Sequence, residues 1–113
     1  LVEKSEKRCG FLRNVTALCG LQHCRVLCTA AEQIPEQFHL CVFRALGDFS
    51  SSLRMLEGVT VPAGFAAAYK GRRETIEAEV ESLPPAWKLH EVRPLSVPFL
   101  EEERHMVILV RNN

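Results

Sequence analysis

The sequence predicts an α+β domain in which a small antiparallel sheet packs against two helices on one face. Apolar residues recur at spacings of three and four near the start of the chain and again in its second half, as they do on helices. Short apolar runs bounded by Gly and Pro lie between and after these segments, as strands do. The predicted order is therefore α-β-β-β-α-β-β.

The first helix is predicted from Ser5 to about Leu21. Ser5 is a suitable N-cap and Gly20 a suitable end. The apolar face of this helix would consist of Cys9, Leu12, Val15, Leu18 and Cys19.

Three strands are predicted next. The segments 24–30 and 38–46 are rich in Val, Leu and Cys and are joined by a loop around Pro35, which favours an antiparallel hairpin. A third strand is predicted over 53–61, where Leu53, Met55, Val59 and Val61 would share one face. Short apolar runs cannot be assigned by periodicity alone, so a mostly helical N-terminal half, over residues 5–56, is the alternative.

The second helix and a closing hairpin complete the domain. The helix would end at Pro84-Pro85, and its predicted apolar stripe is Phe65, Tyr69, Ile76, Val80 and Leu83. Strands over 87–93 and 104–111 follow, and the loop between them holds Pro94, Pro98 and an acidic run, 101–103. Trp87 is expected in the core rather than at an interface.

Length and composition fit a single domain, because 113 residues with 47% hydrophobic content suffice for one core. We expect residues 1–113 to be a fragment of a longer chain, since the first residue is Leu1 rather than Met.

The charges balance, with 14 Lys and Arg against 14 Asp and Glu. Without net charge there is no long-range field to attract a polyanion, so we expect no nucleic-acid partner. The longest apolar run, Met106–Val110, is far shorter than the roughly 20 residues of a membrane helix, so we expect no membrane partner either.

Five cysteines among apolar neighbours indicate an intracellular, reducing compartment, the cytoplasm or nucleus. Thiolate and imidazole are zinc ligands, but the candidate set lacks a C-x-x-C motif, so we expect buried thiols and no metal. That set is Cys19, His23, Cys24 and Cys28.

No residue is predicted to be catalytic. His39 and Cys41 would share a strand face, but an apolar setting would raise the thiol pKa and weaken the nucleophile. The glycines are scattered singly, so no phosphate-binding loop and no cofactor are predicted.

The charges of the second helix run against the helix dipole, with bases first and acids last, which suggests a function at its surface. The predicted partner-binding residues are Tyr69, Lys70, Arg72, Arg73, Glu77 and Glu81. We therefore expect a protein–protein interaction or assembly module of a larger intracellular protein, without catalysis, that binds another protein or a second copy of itself. The alternatives are a scaffold subdomain of an enzyme whose catalytic residues lie elsewhere, and a small zinc-stabilised domain.

Overall fold

The computed structural model describes residues 1–44 and 48–113, which form two compact units, Leu1–Pro35 and Glu36–Asn113. The architecture is mixed α/β, with small sheets and helices. The expectation of one domain over 1–113 stays a prediction. Within the described ranges, no helix combines the length and the apolar character needed to cross a membrane.

The first unit contains strand β1 (Val2–Glu3), helix α1 (Glu6–Leu18), strand β2 (Leu27–Cys28) and a 3₁₀ turn (Ala31–Gln33). The predicted cap is confirmed: Ser5 Oγ accepts a hydrogen bond from the Arg8 amide at 3.4 Å. Gly20, just beyond the helix, adopts a positive φ of 64°. Cys9 is fully buried, and its thiol donates to the Glu3 carbonyl at 3.2 Å, which fastens the helix to β1.

The second unit contains β3 (Phe38–Arg44), α2 (Phe49–Leu56), a 3₁₀ turn (Glu57–Val59), β4 (Thr60–Lys70), α3 (Arg73–Val80), β5 (Trp87–Pro94) and β6 (His105–Arg111). Its four strands are ordered β3-β4-β6-β5. β6 runs antiparallel to β4 and to β5, which confirms the closing hairpin.

The prediction of a wholly antiparallel sheet was wrong, because β3 and β4 are parallel. The hairpin over 24–46 was wrong as well, because β2 pairs in parallel with β1 instead of with β3. The physical reason is connectivity: α1 links β1 to β2 and α2 links β3 to β4, and a helical crossover leaves its two strands parallel. The end of the predicted strand, 45–46, lies outside the described residues.

The third predicted strand, 53–61, is mostly helix α2 and its 3₁₀ turn. Its N-cap is Asp48, whose carboxylate accepts hydrogen bonds from both the amide and the hydroxyl of Ser51, each at 2.9 Å. Leu53 and Leu56 are buried on one face of α2. The mostly helical alternative fails too, because β3 lies between α1 and α2.

The second predicted helix was too long at its start, because residues 60–70 form β4 and α3 spans only Arg73–Val80. Phe65 and Tyr69 are therefore strand residues. Ala66, Ala67 and Ala68 are at most 6% exposed between β3 and β6. Alanine favours helix when isolated, but packing between two neighbouring strands overrides that preference.

Helices α2 and α3 contact the same face of this sheet, but α2 was predicted as a strand, so the prediction of the helices 5–21 and 65–83 on one face is not confirmed by this arrangement. Trp87 is 3% exposed, and its indole N–H donates to the Leu53 carbonyl in α2 at 3.0 Å. On the same face, Lys70 in β4 pairs with Glu79 of α3 at 3.0 Å. Trp87 thus belongs to the core, as expected.

Candidate functional site

Four strand ends meet at one edge of the sheet in the second unit. β4 ends at Lys70, which is paired with His105 at the start of β6, and His105 is paired with Pro94 at the end of β5. β3 is parallel to β4 and ends at the same edge, where Arg44 is opposite Tyr69. We call this edge, with the loops 71–72 and 95–104 that leave it, the carboxyl edge. In open α/β sheets, ligands bind outside the carboxyl ends of the parallel strands.

A buried histidine fixes the turn after β4. His105 is 5% exposed, and its Nδ1 lies 2.6 Å from the Gly71 carbonyl oxygen. A carbonyl only accepts hydrogen bonds, so Nδ1 carries the proton in this contact. A Cβ placed on Gly71 would lie 3.9 Å from the Glu103 carbonyl oxygen, so the loops 71–72 and 95–104 lie close together.

The predicted binding residues divide into two groups in the structure. Tyr69 and Lys70 end β4, Arg72 is the N-cap residue of α3 and Arg73 is its first residue, so these four are contiguous at the carboxyl edge. Glu77 and Glu81 lie further along α3 and at its end, and both are exposed.

Lys70 is engaged inside the fold rather than free for a ligand. Its ammonium lies 3.0 Å from a Glu79 carboxylate oxygen and 4.4 Å from the centroid of the Phe49 ring. Arg72 and Arg73 are exposed, so they carry the accessible positive charge of this turn. Lys70 therefore stabilises the fold, whereas Arg72 and Arg73 are accessible to a ligand.

Sequence reasoning missed further members of the carboxyl edge, because they are distant in the chain. Arg44 and Arg104 are both exposed there. The Arg104 side chain donates to the Glu103 carbonyl at 2.7 Å. Arg93 pairs with Glu91 at 2.6 Å, and that hydrogen bond raises the pKa of its guanidinium. Strand register alone brings these arginines together.

Acidic groups share this edge. The hydrogen bonds from Ser51, first from its backbone amide, hold the pKa of Asp48 below its ordinary value, so this carboxylate is ionised as the cap of α2. The acidic run 101–103 is exposed on the loop between β5 and β6. The edge therefore carries both signs of charge: its accessible positive charge is at Arg72 and Arg73, and its negative charge is on the neighbouring loop and on the exposed Glu74 in the first turn of α3.

The first unit presents a separate carboxylate at the end of a parallel strand. Glu3 ends β1 and accepts hydrogen bonds from the Ser5 amide at 3.1 Å and from the Arg8 guanidinium at 3.5 Å. The Ser5 amide is the main cause of a lowered pKa at Glu3, so this group is ionised at neutral pH. An open hollow of about 590 Å³ lies beside it, lined by Ser5, Lys7, Arg8 and Phe11.

Among the described residues, no three His, Cys, Asp or Glu side chains converge to hold a metal ion. Of the candidate zinc set, Cys19, His23 and Cys28 are exposed and Cys24 is half-buried. His39 is exposed, while the Cys41 sulfur lies 3.4 Å from the Thr60 hydroxyl.

The family model GidB, rRNA small subunit methyltransferase G, matches residues 1–107. The chain is 38% identical over 111 residues to the ribosomal RNA small subunit methyltransferase G of Treponema pallidum strain Nichols, covering 96% of this chain and 49% of that protein. The corresponding enzyme of Janthinobacterium sp. strain Marseille is 33% identical over 113 residues, with 98% and 50% covered. The chain thus spans about half the length of the curated relatives it matches.

Solved methyltransferases share the fold. An rRNA methylase from Streptococcus thermophilus superposes with a TM-score of 0.65 at 12% identity, over 99% of this chain and 72% of that one. A SAM-dependent O-methyltransferase from Thermotoga maritima gives a TM-score of 0.69 at 12% identity, over 99% and 49%. At such identities the likeness concerns the fold alone.

These matches overturn three of our predictions. The prediction of an interaction module without catalysis was wrong, and so was the expectation that the chain is not an enzyme, because the matching family is one of methyltransferases. The expectation of a protein partner and no nucleic-acid partner was wrong too, because the family is named for ribosomal RNA. An intracellular location is compatible with the family. From the match over nearly its whole length, the chain belongs to the GidB family, rRNA small subunit methyltransferase G.

Proposed function

We propose that this chain is part of an enzyme that transfers a methyl group to RNA of the small ribosomal subunit. Membership of the GidB family supports the reaction, and the carboxyl edge supports an RNA substrate. Exposed Arg44, Arg72, Arg73 and Arg104 lie there, and phosphate contacts from Arg and Lys supply most of the sequence-independent affinity for nucleic acid. The single observation that supports an RNA substrate is that arginines from separate segments of the chain converge at one end of the sheet, the carboxyl edge.

The net charge of zero is compatible with this proposal, because local rather than total charge makes the contact. A local cluster of one sign, such as the exposed Arg72 and Arg73, attracts a ligand of the opposite sign even on a neutral protein. The prediction from composition counted every charge of the chain together, without regard to where on the fold each charge lies.

We propose S-adenosylmethionine as the methyl donor, since solved proteins of this fold include a SAM-dependent enzyme from Thermotoga maritima and the ChlM methyltransferase of Synechocystis with bound SAM. When bound, that cofactor supplies an electrophilic methyl group on a sulfonium. Glu3 is suited to bind the ribose of this cofactor. In related α/β folds, an ionised carboxylate at the end of a parallel strand accepts hydrogen bonds from ribose hydroxyls. No glycine-rich loop lies in these 113 residues, so the chain fits only part of the cofactor.

We further propose that the enzyme works in a reducing cytoplasm, where the thiols of this chain stay reduced. All five cysteines are free in the structure.

The test uses the full-length protein, methyl-labelled S-adenosylmethionine and small ribosomal subunits or their extracted RNA. We expect label in the small-subunit RNA and a loss of donor affinity in Glu3→Ala with less effect in Glu6→Ala, the matched exposed glutamate that begins α1. Label in no RNA, or only in large-subunit RNA, would contradict the proposed function.

A further inference from the structure

The loop between β5 and β6 displays a phenylalanine that packs against nothing in its own unit. Phe99 is fully exposed, whereas Leu95 and Leu100 in the same loop are half-buried. Single exposed apolar residues are common on protein surfaces and need no function by themselves. The backbone of Phe99 makes it different from the others.

Phe99 occupies a turn position that ordinarily holds glycine. The Leu100 amide donates to the Val97 carbonyl at 3.1 Å, with Pro98 and Phe99 between them, and Phe99 has a φ of 65°. Pro at the second position and a positive φ at the third are the pattern of a type II turn, where glycine or asparagine is usual. A bulky side chain there costs on the order of 1 kcal/mol or more in backbone strain. This loop therefore has two unfavourable features at Phe99, a strained backbone and a fully exposed apolar ring.

The turn is held at the carboxyl edge. The Leu95 amide donates to the Arg104 carbonyl at 2.8 Å, which closes the base of the loop. His105, the residue after Arg104, is hydrogen-bonded to the Gly71 carbonyl at 2.6 Å, immediately before Arg72 and Arg73. The exposed ring is therefore carried by the loop that adjoins the accessible arginines of the edge.

Charge along the loop limits which part of an RNA Phe99 can contact. The acidic run 101–103 follows it directly and disfavours phosphate on that arm of the loop. Stacking of an aromatic ring on a base needs no charge, while Arg72 and Arg73 can contact phosphates on the other side. Sequence-specific RNA recognition uses this combination on unpaired bases.

We propose that Phe99 stacks on an unpaired base of the RNA substrate, while Arg72 and Arg73 contact its phosphates. The inference rests on the proposed function and deepens it, because it assigns to this loop the positioning of single-stranded or looped RNA. The molecule that we propose Phe99 contacts is RNA. A contact with a protein partner or with a second copy of the chain is an alternative outcome of the test.

The decisive variant is Phe99→Gly in the full-length protein. Glycine removes the ring and relaxes the turn, so folding stability should be unchanged or higher, and misfolding cannot account for a loss of binding. Stacking contributes a factor of roughly 5 to 150 per base, so the Kd and KM for small-subunit RNA should rise about tenfold or more. Phe99→Trp should bind as well as the parent, and Leu18→Ala, which removes an exposed apolar side chain at the end of α1, is the matched control.

Salt dependence separates the two kinds of contact. Arg72→Ala with Arg73→Ala should make the plot of log Kd against log salt shallower by about 1.4 to 1.8, whereas Phe99→Gly should leave its slope unchanged. The KM for S-adenosylmethionine should stay at the parent value in Phe99→Gly.

Parent-like RNA affinity in Phe99→Gly would overturn the stacking proposal even if the parent enzyme methylates small-subunit RNA as expected. A change in oligomeric state with unchanged RNA affinity would assign the ring to a protein contact and would also overturn it. If the parent methylates no small-subunit RNA, the proposed function fails, while the RNA affinities of parent and variant still decide whether Phe99 stacks.

Discussion

Cys9 has a structural role in the first unit, although cysteine is a chemically reactive residue type. Its side chain is fully buried in the first unit, and its thiol donates to the Glu3 carbonyl at 3.2 Å. Burial, and then the neighbouring Cys28 thiol, raise the pKa of Cys9 to about 11. The thiolate is the reactive form, so this cysteine should be inert at neutral pH.

We predict that alkylation at pH 8 labels Cys28 and Cys19, which are exposed, and leaves Cys9 unlabelled until the protein is denatured. Peptide mapping by mass spectrometry measures the label at each site. Rapid labelling of Cys9 in the native protein would contradict its burial.

The raised pKa of Cys9 also predicts a pH dependence of stability. The unfolded state loses this proton near the ordinary value of 9.0 and the folded state only near about 11, so raising the pH across that window favours unfolding. The stabilisation is fully present below about pH 9. We expect the unfolding midpoint of the parent to fall between pH 9 and pH 11 by more than that of Cys9→Ala, because all the other ionisable groups are common to both proteins.

At the scale of elements, α3 was predicted correctly in its second half and incorrectly at its start. Ile76 is 3% exposed, as the predicted apolar stripe requires. Phe65 and Tyr69 satisfied the same helical spacing but belong to β4. Gly71 separates the two elements, and a single glycine within a helical pattern was too weak a signal to end the helix.

Ile76→Asp should unfold the second unit or nearly so. A buried, unpaired carboxylate costs several kcal/mol, against a typical total stability of about 5 to 15 kcal/mol. Thr75→Asp is the matched control, because Thr75 is exposed on the same helix and should tolerate the charge. Urea unfolding followed by circular dichroism compares the two, and equal midpoints would show that α3 does not bury Ile76.

The charges of α3 have a local explanation that sequence order concealed. Lys70 precedes the helix in β4 and pairs with Glu79, two turns into it, at 3.0 Å. Lys70 and Glu79 are therefore paired within the fold. This pair accounts for part of the charge order along the helix, bases first and acids last, that runs against the helix dipole. Glu77 and Glu81 remain exposed.

At the scale of the molecule, the second unit depends on the two strands that are paired on both sides. β4 lies between β3 and β6, and β6 lies between β4 and β5. Val107 and Leu109 of β6 are fully buried. The stability of this unit should therefore be most sensitive to changes in β6.

We predict that Leu109→Ala destabilises the protein by about 2 to 5 kcal/mol, the usual effect of removing a buried leucine side chain. Val97→Ala, in the exposed loop between β5 and β6, should have an effect within about 0.5 kcal/mol. Chemical denaturation measures both, and similar losses in the two variants would contradict the central position of β6.

The sequence by itself determined the elements whose signals are local. Ser5 and Gly20 marked α1, and the loop that holds Pro94 and Pro98 marked the closing hairpin, since caps and turns depend on a few neighbouring residues. Strand pairing depends on long-range contacts: the partner of β3 is β4, which lies on the far side of a helical crossover, and no local pattern records it. The same holds for the carboxyl edge: Arg44, Arg72 and Arg104 are far apart in the chain, and only the register of β3, β4 and β6 brings their charges to one end of the sheet.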